Sequence, residues 1–95
     1  FMEIKKEKKY YSNGQLKQVG FYKNNLRHDK WVYYYKNGQI HYQKKYYNGL
    51  LEGERSSYYK NGNICFKGSF KNNKKFGEWI YYDIEGKVIQ KKNYG

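Results

Sequence analysis

Short runs rich in Tyr, Ile, Val and Phe are punctuated along the chain by pairs of Asn and Gly, and the punctuation has a fixed length. Gly14, Gly38, Gly62 and Gly86 stand 24 residues apart. Tyr10, Tyr34, Tyr58 and Tyr82 keep that step, as do Leu16, Ile40, Ile64 and Val88, and Tyr22, Tyr46, Phe70 and Tyr94. Trp31 returns as Trp79, with Arg55 between them. A period of this length marks a repeat architecture built from one supersecondary unit. Asn13-Gly14, Asn37-Gly38 and Asn61-Gly62 sit between the apolar runs, and Asn-Gly suits a type I′ hairpin turn because it tolerates positive φ at both central positions. A second set of turn residues falls half a unit later, at Asn24-Asn25, Asn48-Gly49 and Asn72-Asn73. Each unit is then two strands and two turns, and the pattern predicts an all-β antiparallel meander of stacked β-hairpins, with three full repeats over 10–81 and a half repeat over 82–95.

Strand alternation sorts the side chains into faces. A two-residue turn at Asn37-Gly38 sets Tyr35 opposite Ile40, Tyr33 opposite Tyr42 and Trp31 opposite Lys44, all on one side with Tyr46. One unit on, Tyr59, Ile64, Phe66 and Phe70 continue that side, and Trp79 repeats Trp31. The other side receives Tyr34 beside His41, Val32 beside Gln43, and Tyr58 beside Cys65. A slip of one residue would exchange the two faces.

Composition narrows the class. Ninety-five residues make one domain. Ten Gly and no Ala argue against long helices, and 22% aromatic residues argue against disorder. No apolar run approaches the ~18 residues of a membrane-spanning helix, so a soluble chain is expected. No signal-peptide or lipidation pattern is visible, and the start at Phe1-Met2 leaves open a leader removed upstream. Localisation is therefore unassigned. The single Cys65 excludes an internal disulfide and a multi-cysteine metal site.

The unit Y-Y-x-N-G-x-(I/L)-x-x-x-G-x-(Y/F)-x-N-x-x-x-x-G-x-W-x-Y-Y resembles the MORN (membrane occupation and recognition nexus) repeat, and most closely its bacterial variant. YYKNGQI at 34–40 and GSFKNNKKFGEWIYYDIEGK at 68–87 carry the likeness. The resemblance covers residues 10–95, with 1–9 as a degenerate N-terminal edge strand. It implies an elongated, twisted single-layer sheet used mainly to bind other proteins, with phospholipid binding described for some members. The bacterial variants are similar to proteins of the antitoxin type. Asp29 at a Gly position, Lys44 and Lys92 where Gly20 and Gly68 stand, and Arg55 in place of Trp depart from the pattern.

The chemistry points to binding rather than catalysis. His28 and His41 occupy different parts of the unit, no Ser lies in a nucleophile-elbow context, and Glu54 and Glu78 follow Gly at one repeat position. No catalytic residue, metal site, cofactor or small-molecule substrate is expected. Asn13, Gly14, Asn37, Gly38, Asn61, Gly62 and Gly86 are read as turn residues. A net charge of +12 opens a second function class. Lys5, Lys6, Lys8 and Lys9, with Lys91 and Lys92, would attract an anionic membrane surface or nucleic acid, or would simply protect the two edge strands from pairing. The aromatic side is the sharper signal, because a single layer covers neither of its faces and large apolar patches mark interaction sites. Trp31, Tyr33, Tyr35, Tyr42, Tyr46, Tyr59, Phe66, Phe70 and Trp79 are therefore the candidate contacts for a protein partner or a second copy.

Overall fold

Turn chemistry lays out the sheet. The computed structural model describes residues 3–95, which run through β1 (Ile4–Tyr10), β2 (Leu16–Lys23), β3 (Leu26–Tyr34), β4 (Ile40–Tyr47), β5 (Leu50–Leu51), β6 (Gly53–Tyr58), β7 (Ile64–Lys71), β8 (Lys74–Tyr82) and β9 (Val88–Tyr94). All pairings are antiparallel and follow chain order, with β5 and β6 both on β4 and separated only by Glu52. The result is one open all-β sheet. It measures 44 × 39 × 12 Å with a radius of gyration of 14.8 Å, against about 12.4 Å for a compact domain of this length. A single layer explains the difference.

The two kinds of turn differ from the expected assignment. Both central residues have positive φ at Asn24-Asn25, Asn48-Gly49 and Asn72-Asn73, so the type I′ hairpins lie there. At the Asn-Gly turns only the glycine does, with φ of +85° at Gly14, +91° at Gly38 and +93° at Gly62. Tyr35 accepts from Gly38 N–H at 3.0 Å and donates to Gln39 C=O at 2.8 Å, which makes a three-residue loop ending in a left-handed glycine. Asn37 serves through its side chain instead. Its Oδ1 accepts from Gln39 N–H at 2.9 Å, and its Nδ2 donates to Lys60 C=O of the next unit at 3.3 Å.

The longer loop adds a residue, and a bulge absorbs it. Tyr34 pairs with Ile40 but Tyr33 with Tyr42, leaving His41 unopposed. The same slip falls at Lys17, Cys65 and Ile89. Two adjacent residues therefore share a face, and the expected sorting is corrected at these positions. His41 joins the aromatic side, stacked 4.1 Å from Tyr35 and edge-on to Tyr42 at 5.0 Å. Ile64 moves to the other side, beside Tyr58, Ser56 and Lys67.

A hydroxyl ladder ties one unit to the next. Tyr11 donates to Tyr34 C=O at 2.6 Å, Tyr35 to Tyr58 C=O at 2.7 Å, and Tyr59 to Tyr82 C=O at 2.7 Å.

Candidate binding face

A second irregularity builds the face. Between the pairs Val19–Val32 and Phe21–His28 the register jumps, and the backbone takes positive φ at Asp29 (+64°), Gly53 (+94°) and Gly77 (+70°). Asp29 thus adopts the conformation its glycine counterparts adopt. Two residues later the side chain folds back across the preceding strand. Trp31 lies flat on Gly20 and Trp79 on Gly68, so closely that a Cβ on either glycine would fall inside the indole's van der Waals envelope. The indole N–H groups donate to Phe21 C=O at 3.0 Å and Ser69 C=O at 3.1 Å. Rings from one repeat position bracket each indole edge-on. Tyr22 and Tyr46 stand 5.1 and 6.4 Å from Trp31, and Phe70 and Tyr94 stand 5.3 and 6.1 Å from Trp79.

This packing supplies a core within one layer. Trp31, Trp79 and Tyr46 retain 0%, 2% and 7% of their exposure. Of the candidate contacts, these three are the buried ones. Tyr33, Tyr42, Phe66 and Phe70 remain half-buried around them, with Tyr33 and Tyr42 stacked at 4.3 Å. Tyr35 and Tyr59 lie at the turn edge with their hydroxyls spent on the ladder.

The middle unit fills the same slot differently. Lys44 occupies the glycine position and Arg55 the tryptophan position. The Arg55 guanidinium lies 4.5 Å over Tyr42 and 5.5 Å over Phe66, Lys44 Nζ sits 5.4 Å over Tyr42, and Arg27 covers Trp31 and Tyr46 at 5.3 and 5.6 Å. Arg55 Nη1 is closed off from solvent without a hydrogen-bond partner. Burial pushes the Arg55 guanidinium below its ordinary value, while Tyr42, Tyr46 and Tyr33 oppose that shift. Lys44 is lowered too, first by burial and then by Arg55 and Arg27. Among the described residues the ion pairs are Lys5–Glu3 at 3.7 Å and Lys9–Glu7 at 3.5 Å, both on or beside β1. None reaches the middle slot. Sequence reasoning passed over Arg27, Lys44 and Arg55 as contacts, although two simultaneous departures from the repeat marked the slot.

The basic candidates are not gathered into one patch. Lys5, Lys6, Lys8 and Lys9 lie on β1 and Lys91 and Lys92 on β9, the two opposite edges of the sheet. Within each strand, pairing also divides them between faces, with Lys5 opposite Tyr22 and Lys92 opposite Trp79 on the aromatic side. The other side is polar at its centre, where Gln43 Nε2 donates to the buried Ser56 hydroxyl at 2.9 Å. The two histidines weighed for catalysis serve a turn, at His28, and a stack, at His41. His28 Nδ1 accepts from Asn48 N–H at 3.2 Å, and Glu52 accepts from Asn72 N–H at 2.7 Å. No group of three or more His, Cys, Asp or Glu side chains forms a metal site among the described residues.

With hairpin, turn and bulge recurring together, family comparison becomes informative. The model of the MORN repeat variant matches residues 5–24 and 51–72. These two segments are MORN repeats of the variant type. Each MORN match frames a hairpin around an Asn-Gly turn, β1–β2 in the first and β6–β7 in the second. MORN repeats are generally linked to protein or membrane interaction, and they are not known as enzymes. No curated protein and no solved structure matches the chain. No helix among the described residues is long and apolar enough to cross a membrane.

Proposed function

We propose that this MORN module is a non-catalytic docking platform whose Trp31–Trp79 side is covered by another protein. One observation carries the reading. Buried indoles hold half-open Tyr and Phe rings on one side of a layer 12 Å deep, with no second layer above them among the described residues. Rigid aromatic side chains lose little rotamer freedom when covered, and interfaces favour Tyr, Trp and Arg for that reason. A partner covering ~800 Å² is of ordinary size and fits within the sheet's face. Likeness of the unit to the bacterial variants supports placing the module among antitoxin- or immunity-type proteins, which act by covering a second protein.

The alternative reading is peripheral binding to anionic phospholipid or nucleic acid through Lys5, Lys6, Lys8, Lys9, Lys91 and Lys92. Their separation to opposite edges weighs against it. Capture from the source cell at ~50 and ~200 mM salt separates the two, because phosphate binding falls steeply over that range. A protein retained at both concentrations by the parent and released by Tyr42→Ala supports the docking reading. Loss of all binding at the higher salt contradicts it.

A further inference from the structure

Two of the three Trp slots are self-filled, Gly20 by Trp31 and Gly68 by Trp79, and the third is not. There Lys44 and Arg55 stand side by side over Tyr42, Arg27 lies on the neighbouring Trp31, and no carboxylate of the described residues closes an ion pair with any of them. Lys44 and Arg55, held together on a half-buried aromatic floor, repel each other and lose hydration without gaining a counter-ion, and exposed Arg27 adds a third like charge beside them. An apolar pair at these positions would avoid that cost, as the flanking units demonstrate. Arg55 Nη1 is closed off without a partner, but the side chain as a whole is only half-buried, so its remaining donors and the Lys44 ammonium are left for an incoming group. Planar guanidinium donors of this kind match the two oxygens of a carboxylate.

We propose that the Lys44–Arg55 slot is the charge-reading centre of the docking face and takes an Asp or Glu carboxylate from an acidic, aromatic-bearing segment of the partner protein. This rests on the docking reading above and adds the chemistry that the partner must present. A protein carboxylate suits the slot better than a phosphate surface. The cations here form a compact central group flanked by Tyr33, Tyr46 and Phe66, whereas the lysines that would track a phosphate surface are dispersed to the edges.

The slot can be converted into its neighbours. Lys44→Gly with Arg55→Trp rebuilds the Gly–Trp pair, so this double variant is expected to fold and to melt above the parent. The control, Lys8→Gln with Lys91→Gln, removes the same two charges at the edges. The probes are a random glutamate–tyrosine copolymer and phosphatidylserine vesicles, each at ~150 mM salt. The rebuilt slot should lose roughly tenfold or more in copolymer affinity, while the edge control stays within about twofold of the parent and vesicle binding is unchanged by the rebuilt slot. Equal copolymer affinity for the folded rebuilt variant and the parent overturns the proposal, as does an equal loss in both double variants. A rebuilt slot that loses vesicle binding but keeps the copolymer makes the ligand a membrane and also overturns it. Tyr42→Ala separates the two levels. Weak copolymer binding there, beside full binding by the rebuilt slot, sinks the carboxylate site and leaves the docking face standing; full binding by both sinks both.

Discussion

Glycine acts here in two physically different ways, and substitution separates them. Gly68 lies beneath Trp79 with an ordinary φ, so an added methyl collides with a buried ring. Gly86 has φ of +97° and open space where a Cβ would go, so only backbone strain opposes a side chain there. Gly68→Ala should destabilise by about 3 kcal/mol, the scale of displacing a large buried side chain. Gly86→Ala should cost about 1 kcal/mol. Thermal melts of both variants check the order, and equal losses would mean that the indole does not need the glycine. His41 gives a pH test. Burial, then Arg55 and Lys60, hold its imidazole below the ordinary value. The unfolded chain therefore binds the proton first on acidification. His41's contribution is most favourable above about pH 6.5, declines as pH falls, and levels off once the folded imidazole is also protonated. Melts of the parent and His41→Gln between about pH 7.5 and 5 should converge or cross, with the parent the steeper. Parallel profiles would remove His41 from the account. The 24-residue step was legible because side chains at Tyr10, Tyr34 and Tyr58 meet equivalent neighbours in every unit. Arg55's role was harder to read, since its meaning depends on Lys44, eleven residues earlier in sequence and beside it in the slot.

At the level of the hairpin, two different turn geometries lead to the same pairing. A two-residue turn at Asn37-Gly38 and a three-residue loop followed by a bulge at His41 both place Tyr33 opposite Tyr42. Residue count between turns cannot tell them apart. Only the residues between loop and bulge differ, which is why Tyr33, Tyr42, Phe66 and Phe70 were assigned to the correct side while His41, Cys65 and Ile64 were not. The turn assignment is testable through asparagine. Asn25 is used for its left-handed backbone, so Asn25→Gly should change stability by only a few tenths of a kcal/mol. Asn37 is used for bonds to Gln39 and Lys60, so Asn37→Gly should cost about 1 kcal/mol or more. Equal effects in denaturant titrations would contradict the assignment. Tyr35→Phe removes one ladder bond and should cost about 1 kcal/mol as well.

Over the whole molecule, the proposed docking face is the side on which the layer leaves its rings open. A charge of +12 makes the chain attractive to many anions, but the aromatic strip is confined to one side. Gln43, the obvious reporter for the opposite side, is held by the buried Ser56, so its removal would disturb the sheet itself; exposed Lys67 is the better control. Neighbouring tyrosines offer a sharper comparison. Tyr33 pairs with Tyr42 on the aromatic side while Tyr34 pairs with Ile40 on the other, and Tyr81 and Tyr82 repeat the arrangement. Hydroxyl-radical footprinting of the chain, free and bound to its captured partner, tests the docking claim most directly. The account predicts that oxidation of Tyr33, Tyr42 and Tyr81 falls in the complex while Tyr34, Tyr58 and Tyr82 react as before. Protection of Tyr34, Tyr58 and Tyr82, with Tyr33, Tyr42 and Tyr81 unchanged, would contradict it.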